Sequence, residues 1–339
     1  MRRWLAFVLA AIPVWGQIDF TLSWVDGKCV GCKTAAQLGR IQFVSRNEAW
    51  AVGSSGRHAA GPFVVIHTKD AGHTWREVPQ TRQYPGDPDG PPAFSFIDAA
   101  RGWIAWWDPS DDPKIIRTRD GGTHWEQMAG EFQESGGFLQ KIRFFDDLHG
   151  YGTAVTKFLR TSDGGRSWTQ TEMPHVRFID RMLFLTPDLG WLAGTDGKSV
   201  SVFRTTNGGR DWEESRTTPP NELDSVRDLF FLDKDRGWLI TWHFNETYLL
   251  STVDGGKNWM PVLDRSFQGE GHLAGVVRFV SDKNGFVFDA GDHNNLIYTV
   301  DGGANWKKHT FRQFVYDCQV FGGDLLCSGG FRILKVHPK

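Results

Sequence analysis

Apolar residues in this chain gather in short extended bursts separated by turn-forming residues. FVVIHT (Phe63 to Thr68), KIIRT (Lys114 to Thr118) and DFTLSWV (Asp19 to Val25) are examples. Runs of this kind, rich in β-branched and aromatic residues and bounded by Gly, Pro, Asp and Asn, predict strands and hairpins. Aromatic residues seven positions apart recur along the chain: Phe43 and Trp50, Phe96 and Trp103, Phe144 and Tyr151, Phe184 and Trp191, Phe231 and Trp238, Phe279 and Phe286. Acidic turn residues fill the gap, as in FIDAARGW and FLDKDRGW, and Gly precedes the second aromatic in five of the six pairs. Each pair therefore marks a β-hairpin.

Downstream of each hairpin stands the phrase T-x-D-x-G-x-x-W, at Thr68–Trp75, Thr118–Trp125, Thr161–Trp168, Thr205–Trp212, Thr252–Trp259 and Thr299–Trp306. Successive copies start 50, 43, 44, 47 and 47 residues apart. The third position is Asp70, Asp120, Asp163, Asn207, Asp254 and Asp301. Its side chain can accept backbone N–H bonds around a tight turn. Gly at the fifth position allows the positive φ such a turn needs. Trp75, Trp125, Trp168, Trp212, Trp259 and Trp306 each bring a large ring that must be buried. The phrase reads as strand, turn, strand, a scaffold to which no chemistry is assigned. Two strands around the aromatic pair and two around the phrase make a four-stranded unit, and this period is that of a β-propeller blade.

Six phrases give blades at about 40–79, 93–129, 141–172, 181–215, 227–263 and 276–310. The tail holds VYDCQV, DLLCSG and FRILKV, three strands without a phrase, and residues 19–25 supply a strand without a partner. An open edge invites aggregation. The economical arrangement is an all-β, seven-bladed propeller of four-stranded antiparallel blades, its seventh blade built from 315–337 plus 19–25.

The unit F-x-D-x-x-x-G-W followed by T-x-D-G-G-x-x-W resembles the BNR or Asp-box repeat of the sialidase-like propeller superfamily. It is most similar to the repeat of the photosystem II assembly and stability factor family. The resemblance spans nearly the whole chain beyond residue 16. It implies a non-catalytic propeller that binds a protein or peptide through a basic patch. Asp boxes also occur in glycoside hydrolases, so a sialidase-like or other Asp-box glycosidase is the alternative. FRIL (Phe331 to Leu334) resembles the motif that opens sialidases but lies at the opposite end of the chain, and no Tyr–Glu pair stands out.

The four cysteines, Cys29, Cys32, Cys318 and Cys327, flank the two chain ends that the ring would bring together. Pairings Cys318–Cys327 and Cys29–Cys32 are favoured; crossed pairs and a four-thiolate zinc site are the alternatives. No metal and no cofactor is expected. Residues 1–16, MRRWLAFVLAAIPVWG, have the basic start and short apolar stretch of a signal peptide. Residues 17–339 then form one propeller, extracytoplasmic (periplasmic or secreted), with no transmembrane span and monomeric. A net charge of −2 argues against nucleic acid as partner.

Function is expected on the face opposite the Asp phrases, where the 2–3 loops and blade connections lie. Trp106, Trp107, Asp108 and Asp112, Trp242 and His243, Asp292 and His293, and Arg57 and His58 fall there. Aromatic platforms beside carboxylates suit a peptide or a glycan; for a hydrolase, Asp108, Asp112 and Asp292 are the candidate acids. The bland reading is solvated turn acids and blade-covering tryptophans. A second set, Arg143, Arg181, Arg227 and Arg278 with Arg40 and Lys141, sits on or just before the innermost strands and would ring a channel mouth. The same arginines could equally be paired with Asp180, Asp224 and Asp228.

Overall fold

The computed structural model describes residues 20–30, 37–54, 63–84, 92–106, 114–128, 139–217, 225–243, 246–262, 275–288, 295–310, 315, 317–329 and 332–338. They form a seven-bladed β-propeller of four-stranded antiparallel blades. In chain order the innermost strands are Gln37–Phe43, Ala93–Phe96, Lys141–Phe144, Phe178–Phe184, Ser225–Phe231, Val276–Phe279 and Asp317–Phe321. The fourth strand of the seventh sheet is Phe20–Asp26, antiparallel to Arg332–Pro338, with Phe20 opposite Pro338 and Asp26 opposite Arg332. The chain then crosses to the first blade. There Lys28–Val30 runs parallel to the outer strand Thr74–Glu77, giving that sheet a fifth strand that sequence reading did not foresee.

The aromatic pairs explain how blades pack. Within a hairpin the two rings do not meet. The second ring of one blade stacks on the first ring of the next: Trp50 on Phe96 (4.1 Å), Trp103 on Phe144 (4.0 Å), Tyr151 on Phe184 (4.3 Å), Trp191 on Phe231 (3.8 Å) and Trp238 on Phe279 (3.5 Å). Such stacks add about 0.5–1.5 kcal/mol each beyond area burial. The Gly before the second aromatic faces the Phe across the hairpin, as Gly102 faces Phe96. A Cβ there would fall on the Phe ring. The first blade carries Ala49 at this position instead, opposite Phe43.

The Asp phrase is a closed hydrogen-bonded turn. In all six copies the Thr Oγ1 accepts the N–H of the fifth residue, and the Asp or Asn Oδ1 accepts the N–H of the seventh. The fourth and fifth residues both have positive φ, Ala71 at 56° being the one non-glycine. The fourth residue's N–H donates to the 1–2 turn of its own blade, as Gly121 does to Ala100 and Gly255 to Asp235, so both turns share one face. Cys318 and Cys327 sit opposite each other on adjacent strands and are disulfide-bonded. Cys29 is also disulfide-bonded; Cys32 and residues 1–16 lie outside the described residues.

Candidate functional site

The seven innermost strands surround a central cavity of about 580 Å³. Each strand hands at least one polar side chain to the backbone of the next blade, and all seven seams are joined this way. Gln42 donates to the Phe96 carbonyl (2.8 Å) and accepts the Phe96 N–H (2.9 Å). Ser95 Oγ accepts the Phe144 N–H (2.9 Å), and Lys141 donates to the Ile179 carbonyl (3.5 Å). Asp180 accepts the Val226 N–H (3.2 Å), and Arg181 donates to the Arg227 carbonyl. Asp228 accepts the Val277 N–H (2.9 Å). Arg278 Nε donates to the Cys318 carbonyl (2.6 Å), and Gln319 Oε1 accepts the Phe43 N–H (2.7 Å).

Much of the basic set belongs to this ring. Arg278 bonds Asp228 (2.5 Å) and Asp317 (3.1 Å), and its side chain is only 14% exposed. Burial opposes its charge, but the two carboxylates outweigh that and raise its pKa. Arg181 Nε lies 3.8 Å from Asp228. An alternating chain of Arg181, Asp228, Arg278 and Asp317 thus crosses four blades. For Arg278 the charge-paired reading of the sequence describes the geometry, and a free rim arginine does not. Asp180 is half-buried, and that burial raises its pKa against the pull of the Val226 N–H and of Arg181, Lys141 and Arg227.

β-Bulges aim several of these groups. The register of the innermost strand shifts between Leu38 and Arg40, Ile179 and Arg181, and Val226 and Asp228, the same level in three blades. A bulge re-aims a side chain and often borders a site. Arg227, at one bulge, lays its guanidinium over the Trp242 ring at 4.6 Å. The two sequence-derived sets, cationic and aromatic, therefore meet there.

Among the described residues Arg143, like Arg227, lacks the ion pairs that hold Arg181 and Arg278. It makes no ion pair and no hydrogen bond among the described residues, and its guanidinium stands 5.3 Å from the Phe145 ring. Its side chain is exposed to the channel, and partial exclusion of water by the surrounding strands lowers its pKa.

Trp106 does not form a surface platform. It is 3% exposed and packs against Phe63 and Tyr84 at 5.4 and 5.2 Å. Its ring is too large to leave between blades unburied, so the blade-covering reading fits it. His243 ends the strand Gly237–His243 on the same hairpin as Trp242. Arg57, His58, Trp107, Asp108, Asp112, Asp292 and His293 lie outside the described residues. Sequence reading missed Gln42, Ser95 and Gln319, because neutral polar residues on an apolar strand carry no signal until the neighbouring blade is in place. Among the described residues no group of three or more His, Cys, Asp or Glu is set to hold a metal ion, and no helix is long and apolar enough to cross a membrane.

No protein-family model matches the chain. The photosystem II assembly lipoprotein Ycf48 of Synechococcus sp. (strain CC9902) is 28% identical over 141 residues, 40% of this chain and 38% of that protein's length. A solved structure described as Ycf48 bound to D1 peptide superposes with a TM-score of 0.67 at 18% identity, covering 97% of this chain and all of that one. Virginiamycin B lyase from Staphylococcus aureus superposes almost as well (TM-score 0.66, 12% identity, 94% of this chain and 100% of that one). The GH74 xyloglucanase from Xanthomonas campestris gives 0.58 at 14% identity over 90% of this chain and 51% of its own. Enzymes and a binding protein thus share the propeller, and the fold alone does not choose between them. Homology to Ycf48 covers those 141 residues, and likeness to its propeller fold covers nearly the whole chain.

Proposed function

We propose that the protein is a non-catalytic extracytoplasmic propeller that binds a protein or peptide partner at the loop-face mouth of its channel, acting as an assembly or stability factor. The observation that carries this reading is the stacked pair of Arg227 and Trp242 beside Arg181. A guanidinium over an indole pairs a cation able to bind a partner's carboxylate with an apolar ring beside it. The partial homology to an assembly factor supports the same reading. Residues 17–339 would form the mature, monomeric unit after removal of 1–16.

Affinity capture from the native envelope tests the proposal. The wild-type protein should retain a discrete partner that Arg227→Ala and Trp242→Ala variants lose, each variant remaining folded by circular dichroism. Retention undiminished in both variants would exclude this mouth. A glycan-hydrolysis screen runs beside it. Turnover abolished by Asp108→Asn, Asp112→Asn or Asp292→Asn would replace the binding reading with a hydrolase.

A further inference from the structure

The channel interior has chemistry of its own, separate from the rim. Its volume of about 580 Å³ falls among small-molecule sites, which span roughly 300–1,000 Å³. Much of the lining is apolar, including Phe94, Ile142, Met182, Leu183, Leu229 and Phe230. The polar residues Gln42, Ser95, Lys141 and Gln319 are bonded across seams, and Arg278 is engaged by Asp228 and Asp317. Arg143 is the charged lining group with no such engagement among the described residues.

The repeats supply an internal comparison. Arg143 immediately precedes the innermost Phe of its blade. The equivalent residues are Gln42, Ser95, Leu183, Phe230 and Arg278. Gln42, Ser95 and Arg278 fasten their own seams, and Leu183 and Phe230 are apolar. In Arg143's blade the seam is fastened by Lys141 instead. Arg143 is therefore not required to join blades. Its side chain is exposed to the channel, and its guanidinium donors are engaged by no carboxylate among the described residues.

We propose that the channel is a binding site for a small monocarboxylate with an apolar body, its carboxylate held by Arg143. The guanidinium fork matches a carboxylate in two parallel N–H···O bonds. One uncompensated positive charge suits one negative charge. A dianionic phosphate would bring a second negative charge into a cavity that Asp317 also lines.

Thermal unfolding of the full-length protein with aryl- and alkyl-monocarboxylates such as 4-phenylbutyrate and octanoate, against their primary amides, tests this. The acids should raise Tm saturably, at least tenfold more tightly than the amides. Arg143→Gln should weaken the acids tenfold or more and leave the amides unchanged. Leu183→Trp, which fills the chamber, should abolish binding of both and serves if the Arg143 variant does not fold. Arg227→Ala, at the rim, should leave acid binding unaltered while impairing partner capture, so the two sites fail separately. The proposal is overturned if no acid of the panel raises Tm, if acid and amide bind alike, or if binding survives both channel substitutions. A peptide ending in Phe that protects where the free acids do not would overturn it as well.

Discussion

At the scale of single residues, the aromatic pair and the Asp phrase each rest on an exchange between a ring and a glycine. Gly102 leaves room for Phe96, which must reach Trp50 of the preceding blade. Gly102→Ala should push that ring off its stack and cost about 1–3 kcal/mol, as overpacking does. Chemical denaturation of the variant reads this directly, and Ala49→Gly in the first blade should cost under about 1 kcal/mol. In the Asp phrase, carboxylates are held low by the bonds they accept. The N–H and ring of His124 lower Asp120, and the Asn305 side chain and N–H lower Asp301, each to about 2. Burial acts against Asp163 and Asp254, yet the bonds from Ser167 and Asn258 hold these also at about 2. A carboxyl whose folded pKa lies below its unfolded value stabilises the fold above the unfolded pKa and loses that contribution as pH falls through the folded one. Stability should therefore hold from neutral pH to about 5 and decline between about pH 4 and 2. Urea midpoints across that range check it, and replacing these four aspartates by Asn, as Asn207 already stands in the fourth copy, should flatten the slope.

At the scale of elements, the blades are unequal in how they are fastened. The first six each carry an Asp phrase, while the seventh is assembled from both ends of the chain and carries the Cys318–Cys327 bond between its two inner strands. Replacing both cysteines by Ser should lower stability by roughly 2–3 kcal/mol, the loop closed being short, and reducing agent, which also opens the Cys29 bond, should lower Tm at least as far. Most of this level was readable in the sequence. Phrase spacing marks the outer hairpins, and the six aromatic pairs mark the inner ones, because strand and turn chemistry is local. The parallel pairing of Cys29 with Trp75 was not readable. It depends on where the chain goes after leaving the seventh blade, which no local pattern of Lys28–Val30 records.

At the scale of the whole molecule, the ring is held by seams whose side chains reach into a neighbour rather than their own sheet. Asp228→Asn would leave Arg278 half-paired in a buried setting and should cost about 3–5 kcal/mol. Adding Arg278→Met should recover part of that loss, which a double-mutant denaturation series measures. This level also sets what could be known of the site in advance. Arg143, Arg181, Arg227 and Arg278 stand out as cations near the inner strands, yet the pairing of Arg181 and Arg278 follows from partners 39 to 50 residues away, and the placing of Arg181 and Arg227 from bulges with no sequence mark. The seam bonds carry one more consequence. Seven blades of nearly one shape meet through side chains of several kinds: amides at two junctions, a hydroxyl and an ammonium at one each, and carboxylates or guanidinium groups at the rest. The receiving group at every junction is a backbone N–H or carbonyl, which any blade carries, so a seam side chain can be exchanged without a matching change on the neighbouring blade, and the wall of the channel is free to vary in chemistry while the ring keeps its shape.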